Sequence, residues 1–394
     1  MTAKVPENPT LASKEKLRVL IIAASIDIIG GQAVQAAKLV EYLKSEPSID
    51  VSFLPVNPRL PGVLRRIQSI KYVRTITTSL LYWLTLIATI PRFDVIHIFS
   101  ASYLSFLLAP APALLVSRLF GKRIILNYHS GEAEHHLRLW PRSSIPLLKL
   151  ADSIIVPSKY LVRVFSKFGL TTKPIFNVIE LGQFRFRERG TLRPIFLSNR
   201  NFQVHYGVDT VLKAFGIIQE RFPKASLAVV GDGPCRASLL QLSKELCLHN
   251  VRFIGSIEPE RMPEVYDQAD VFLNGSRIDN QPLSILEAFA SGLPVVTTDA
   301  GGIPDMVADD LTGFMVRTDD HNALAQTAIR LLEEPSIAHT VIAMAREECS
   351  RYTWAAVRDS WLTVYSDSQN LRRNQTTHAT STVDENDVAV TSQS

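Results

Sequence analysis

Asp279 and Glu287 stand at the two ends of the run Asp279-Asn280-Gln281-Pro282-Leu283-Ser284-Ile285-Leu286-Glu287. The first part is a polar loop and the second reads as the start of a short helix, so both carboxylates can face one pocket. Carboxylates accept hydrogen bonds from vicinal hydroxyls, which suits a ribose or a hexose. A helix beginning near Leu283 aims unpaired amides at the same place, which suits a phosphate. The plainer reading is a capped surface helix with solvated carboxylates. Arg200, in Leu197-Ser198-Asn199-Arg200-Asn201, follows an apolar run that reads as a strand. Its guanidinium can grip a phosphate through two parallel bonds and stays charged, or it is an ordinary surface arginine. His129, in Asn127-Tyr128-His129-Ser130-Gly131-Glu132, also directly follows a strand pattern, and its imidazole could donate to a sugar hydroxyl or a phosphate. Gly30-Gly31 precede a helical pattern. Glycine lets a phosphate approach the backbone, although a tight strand–helix turn explains the pair equally well.

Other reactive side chains point nowhere in particular. His135 and His136 are adjacent, so on a helix they diverge by about 100° and make no metal pair. His97 lies inside a strand pattern and reads as a core residue. Cys235, Cys247 and Cys349 are widely spaced with no CxxC pair, which disfavours a zinc ribbon or a disulfide framework and suits a reducing compartment. No metal site is expected. The GxGxxG fingerprint is absent, so a nicotinamide dehydrogenase is disfavoured.

These residues need a scaffold, and the hydrophobic pattern supplies two. Apolar runs at Val19–Ala24, Val51–Pro55, Asp94–Phe99, Arg123–Tyr128 and Ser153–Val156 read as buried parallel strands with helical patterns between most of them. The pattern restarts with strands at Pro194–Leu197, Ala225–Val230, Val251–Gly255, Val271–Asn274 and Val295–Thr298. The sequence thus divides into a polar segment 1–16, one α/β domain over 17–190, a second over 191–351, a closing helix over 352–367 packing back on the first domain, and a polar tail 368–394. Charged Arg185–Arg193 reads as the linker. The fold class expected is α/β: two Rossmann-like doubly wound domains facing across a cleft, where such sheets bind ligands.

The 394 residues carry 42 Lys+Arg against 38 Asp+Glu, too even a balance to suggest nucleic acid without clustering. One segment is uneven. No acidic residue lies between Asp50 and Asp94, whereas Arg59, Arg65, Arg66, Lys71, Arg74 and Arg92 do, around the apolar Leu80-Leu81-Tyr82-Trp83-Leu84 run. Residues 59–91 therefore read as a segment lying on an anionic membrane surface, with a helix packed on the sheet as the plainer alternative. No run reaches the ~18–20 apolar residues of a spanning helix. The expectation is a cytoplasmic protein, peripheral on the inner face of a membrane.

The second half resembles the carboxyl domain of the family four retaining glycosyltransferases of the GT-B fold. Gly231-Asp232-Gly233-Pro234, Asn250-Val251-Arg252-Phe253-Ile254-Gly255, the Asp279–Val296 stretch and Asp299-Ala300-Gly301-Gly302-Ile303-Pro304 carry the resemblance. Weaker matches are Gly30-Gly31, Asp94–His97, His129, Asn177–Phe184 and Tyr352-Thr353-Trp354. The resemblance implies sugar transfer, with retention, from a nucleotide diphosphate sugar to an acceptor hydroxyl, here a saccharide or lipid-linked acceptor. The nucleotide sugar is a co-substrate, and no cofactor is implied. His129, Arg200, Asp279 and Glu287 would be catalytic: Glu287 at the donor ribose, Asp279 and His129 at the sugar, Arg200 at the diphosphate. Gly30, Gly31, Gly231, Asn280, Gln281, Pro282, Leu283 and Ser284 would bind the donor, with the base near Ile254–Ser256. Two positions depart from the family pattern. Asp279 stands where Glu is usual, and Tyr206 where Lys is usual, leaving Arg200 alone or assisted by Lys213 or another cation. A degenerate module that binds nucleotide or lipid without turnover is the alternative.

Overall fold

The computed structural model describes residues 16–25, 31–58, 71–100 and 102–367. The polar segment before Lys16, Gly30, residues 59–70 and the tail from 368 lie outside them. Strands β1 (Leu17–Ala23), β2 (Ile49–Pro55), β3 (Val95–Ser100), β4 (Arg123–Tyr128), β5 (Ser153–Val156) and β6 (Lys173–Pro174) form a parallel sheet in the order β2-β1-β3-β4-β5-β6. Strands β7 (Ile195–Asn199), β8 (Ser226–Val230), β9 (Val251–Gly255), β10 (Val271–Asn274), β11 (Val295–Thr298) and β12 (Phe314–Val316) form a second parallel sheet in the order β12-β11-β10-β7-β8-β9. Helices cover both faces of each, so the inner strands read as unbroken apolar runs; all six residues of β3 are buried. The edge strands β6 and β12 escape sequence reading because they are too short to show a period.

Strand order creates the site. In the first sheet the order reverses between β1 and β3, and in the second between β7 and β10. Connections leave such a switch point in opposite directions and open a crevice at the carboxyl ends of its strands. His129 follows β4, Arg200 follows β7, and the loop to Asp279 follows β10.

The chain then returns. Helix 354–367 lies on the first sheet, where Val357, Trp361, Val364 and Tyr365 share a core with Val19, Ile21 and Val95. Trp354 stacks on Tyr42 at 4.7 Å between ring centroids, and Arg358 grips Glu46 through bonds of 2.6 and 2.7 Å.

Two segments add to or depart from the sequence reading. The charged stretch Arg185–Arg193 runs between β6 and β7, where the linker was expected, and it is anchored on the second half. Arg189 is buried and donates to the carbonyls of Ala269, Ser291 and Gly292, and Arg187 and Arg193 close on buried Asp270. A buried guanidinium is tolerated because its donors are all met. The second concerns helix Lys71–Thr89: residues 73–92 are, by length and composition, long and apolar enough to cross a membrane. The helix is nonetheless docked on the first sheet, with Tyr82, Leu86 and Ile90 in the core beside Leu20 and Ile96. Its other face exposes Ile76, Leu80, Trp83, Leu84 and Ile87.

Candidate active site

A cavity of about 630 Å³ lies between the carboxyl ends of the two sheets. The second half contributes Asn199, Arg200, Tyr206, Gly231, Asp279, Ser284 and Glu287; the first contributes Gly31, Ser102, Tyr103, His129, Ser130 and Glu132.

Arg200 pairs through Nη2 with Oδ2 of Asp279, and its Nη1 lies 3.3 Å from Oγ of Ser284. Its buried Nε has no partner among the described residues. Asp279 also accepts from Ser276 Oγ at 3.1 Å and from the Asn280 amide at 2.9 Å. The ring of Tyr206 faces the guanidinium, 4.1 Å from Cζ to the ring centroid. Where the resembling family has a cation, this chain therefore places an aromatic face against its one nearby cation. Lys213 gives no assistance: it pairs with Asp209 at 3.6 Å and does not line the cavity. The Arg200 loop constrains Gly231. That residue has φ +132°, and a Cβ there would fall 2.0 Å from the Arg200 carbonyl oxygen, so only glycine fits.

Glu287 projects from helix Leu283–Ala290, whose extended N-cap Pro282 gives it no side-chain cap. Its first amides thus remain available at the cavity. The Tyr266 hydroxyl donates to Glu287 Oε2 at 2.7 Å and itself accepts from Asn199 Nδ2 at 3.0 Å. Burial raises the Glu287 carboxyl above its ordinary range, opposed by the Tyr266 hydrogen bond and by Lys38 and Arg200.

His129 stacks on Phe99 at 5.2 Å, and its buried Nε2 has no partner among the described residues. Burial lowers its pKa to about 4, so the ring is neutral at pH 7. His97 is only half satisfied: Nδ1 meets the Tyr365 hydroxyl at 2.6 Å, and Nε2 is unpartnered among the described residues.

Several predicted binding residues also make contacts of another kind. Asn280 and Gln281 line the cavity, but their side chains tie the halves together. Asn280 Oδ1 accepts from Ser158 Oγ, and Gln281 Oε1 accepts from the Asn177 amide at 2.7 Å. Ile254 is 43 % exposed and lies outside the cavity, which Ser256 and Ile257 line instead. The alternation of β9 puts Ile254 on the same outward face as Arg252. Gly31, Pro282, Leu283 and Ser284 do line the cavity, whereas Gly30 falls outside the described residues. Sequence reading missed Tyr103, Glu132, His205 and Tyr266. Glu132 carried a signal, since it ends the same strand-end loop as His129; Tyr266 lies far upstream of the carboxylate it holds and carried none.

Residues 183–348 match the family model of glycosyl transferases group 1, and residues 29–179 that of glycosyltransferase family 4. The chain belongs to this family of glycosyltransferases. It is 28 % identical to a sulfoquinovosyl transferase of Arabidopsis thaliana over 72 % of this chain and 59 % of that protein. It is 32 % identical to a D-inositol 3-phosphate glycosyltransferase of Corynebacterium diphtheriae over 42 % of this chain and 40 % of that protein. A GDP-mannose-dependent alpha-(1-6)-phosphatidylinositol monomannoside mannosyltransferase of Mycolicibacterium smegmatis is also 32 % identical, over 45 % of this chain and 48 % of that protein. The chain thus spans about half the length of these curated relatives. Among solved structures, the chain superposes on Anabaena HepE in complex with UDP and glucose with a TM-score of 0.71 at 16 % identity, covering 89 % of this chain and 100 % of that one. For sucrose-phosphate synthase of Thermosynechococcus elongatus the TM-score is 0.67 at 20 % identity, covering 89 % and 99 %. At such identities the likeness concerns the fold, which is GT-B.

Proposed function

We propose that this glycosyltransferase moves a sugar from a nucleoside diphosphate sugar to a hydroxyl of a lipid-linked or membrane-proximal saccharide, with retention at the anomeric carbon. One observation carries the reading: Arg200, Asp279, Glu287 and the uncapped amides of helix Leu283–Ala290 converge on one interdomain cavity. In this reading Glu287 holds the donor ribose, Arg200 and the helix amides hold the diphosphate, and His129 and Asp279 contact the sugar. The bond from the anomeric carbon to the phosphate oxygen breaks, and its electron pair goes to that oxygen. Arg200 and the amides meet the growing charge electrostatically, with no metal ion required. The acceptor oxygen bonds to the same face of the carbon, and its proton passes to the departing phosphate. Asp279 is a poor nucleophile for a double displacement, because Arg200, Ser276 and the Asn280 amide occupy its oxygens.

The membrane part of the reading rests on the exposed apolar side of helix Lys71–Thr89 beside a sequence segment that holds cations and no acids. Such a face suits peripheral attachment at an anionic, inner-leaflet surface. The relative named a phosphatidylinositol monomannoside mannosyltransferase is consistent with this.

The test is a thermal shift with UDP, GDP and ADP and their sugars. A ligand at 100 times its Kd stabilises the folded state by about 2.7 kcal/mol, and one nucleotide should do so in wild type and not in Glu287→Ala. Absence of a shift with every nucleotide would sink the donor assignment.

A further inference from the structure

The two positions that depart from the family pattern, Asp279 and Tyr206, both close on Arg200. Asp279 takes one edge of the guanidinium, where its Oδ2 accepts from Nη2. Tyr206 takes a face, with Cζ 4.1 Å from the ring centroid. One loop governs both contacts. Arg277, two residues before Asp279, donates from its backbone amide to the His205 carbonyl at 2.8 Å and from Nη1 to the Val204 carbonyl at 2.7 Å. Its guanidinium is itself held by Asp209 at 2.7 Å and Asp319 at 2.6 Å. Beyond Tyr206, Gly207 at φ +58° seats the chain against Gly275, where a Cβ would fall 1.8 Å from the carbonyl oxygen. The turn Val204–Tyr206 is thus pinned on both sides, and the ring stays where the turn carries it.

The ring matters because of the shape of a guanidinium. Its five N–H bonds lie in one plane. A bond at Nη2 fixes one point of that plane and leaves it free to turn; Ser284 adds only a contact of 3.3 Å at Nη1. A ring against the face stops the turn, since rotation would drive an edge into it. The buried Nε, which has no partner among the described residues, is then held in one direction. Donors set in advance for charge that grows on a leaving group lower the barrier, because nothing must reorganise during the reaction. A lysine ammonium, the group usual in the resembling family at this position, would supply charge at a point and no plane. The Arg200 side chain is only 10 % exposed, and such desolvation strengthens its attraction to the ring face.

We propose that Tyr206 is a positioning residue for sugar transfer, its ring fixing the plane of the Arg200 guanidinium against the leaving diphosphate. This rests on the transferase reading above and deepens it by naming what orients the cation. The experiment follows release of nucleoside diphosphate from UDP-glucose, GDP-mannose and ADP-glucose by the full chain, with water as acceptor. Each turnover breaks the bond from the anomeric carbon to the phosphate oxygen, which keeps the electron pair. The water oxygen bonds to the carbon, and a water proton passes to the phosphate. Tyr206→Leu should lower kcat for the donor that reacts by about tenfold and change KM far less. Tyr206→Phe should recover most of that loss, because Arg200 meets the ring. The double variant Arg200→Met/Tyr206→Leu should be no slower than Arg200→Met. A second readout needs no turnover: in arginine-labelled protein the Nε–H resonance of Arg200 should be displaced by the facing ring in wild type and Tyr206→Phe, and should lose that displacement in Tyr206→Leu. A Tyr206→Leu kcat equal to wild type overturns the proposal. So does a Phe variant as slow as the Leu variant, a further loss on the Arg200→Met background, or an Arg200 resonance indifferent to the ring. In each of those cases wild type still releases nucleotide, and the transferase reading stands. Release from none of the three sugars by wild type would bring down that reading, and this inference with it.

Discussion

The two halves share an architecture, yet their contributions to the cleft are built differently. In the second half the functional groups sit on short loops whose backbone is locked: Gly231 admits no Cβ beside the Arg200 carbonyl, and Gly301, at φ +56°, likewise packs against the Asp279 carbonyl. In the first half Ser102 and Tyr103 come from the connection after β3, and Ser130 and Glu132 from the loop after β4. Their chain can vary without disturbing the sheet, as connecting segments generally can. A constant ligand part, such as a nucleoside diphosphate, suits a locked site; a variable acceptor suits the other.

The sharpest way to break this contrast is Arg200→Met. Loss of the charge that faces the leaving group should cut kcat by about 10²–10³ and also destabilise the fold by leaving Asp279 unpaired. The double variant Arg200→Met/Asp279→Asn should recover the melting temperature without recovering turnover. A single variant within tenfold of wild type would place the pair among structural interactions. Next in size is the comparison of two glycines. Gly231→Ala forces a Cβ into a carbonyl oxygen at a φ that L residues avoid, and should cost about 1–3 kcal/mol or more. Gly131→Ala, where a Cβ would lie 3.3 Å from the Asp279 carbonyl carbon, should cost less and act mainly on how closely the halves approach. Calorimetry of both variants decides, and equal losses would erase the distinction.

The smallest effect concerns pH. Burial lowers His97 to about 3 and His129 to about 4. The unfolded chain therefore binds more protons than the folded one between those values and about 6.5. Stability of the first half is fully present above about 6.5 and is lost as pH falls toward 4. All four tryptophans, Trp83, Trp140, Trp354 and Trp361, belong to elements of the first half or the helix packed on it. Fluorescence melts at pH 7.5 and 5 should show the drop, and His97→Gln should reduce it. An unchanged melting temperature would mean that the rings are protonated or solvated in the folded state.

Much of the second half was legible because its signals are local. The Asp279-to-Glu287 spacing, the strand ending at Arg200 and the glycine loops can each be read within a short window. The outward side chain of Ile254 was legible too, since the exposed Arg252 marks the outward phase of β9. The first half hid more. Nothing near Tyr103 announces a cavity, and the exposed side of helix Lys71–Thr89 shows only once Tyr82 and Leu86 are seen to be buried.

By itself, then, the sequence determined most of the elements, their parallel arrangement into two domains and the chemical character of the Asp279–Glu287 run, because hydrophobic period and glycine placement act over a few residues. Tertiary structure alone decided the pairings: Arg200 with Asp279 under the Tyr206 ring, Tyr266 on Glu287, Asn280 and Gln281 turned toward the opposite half, and Tyr103 on Glu132. Each joins residues from different loops, several of them far apart in the chain. Such contacts depend on which strands neighbour one another and on how two separately folded sheets meet, and no local pattern encodes either.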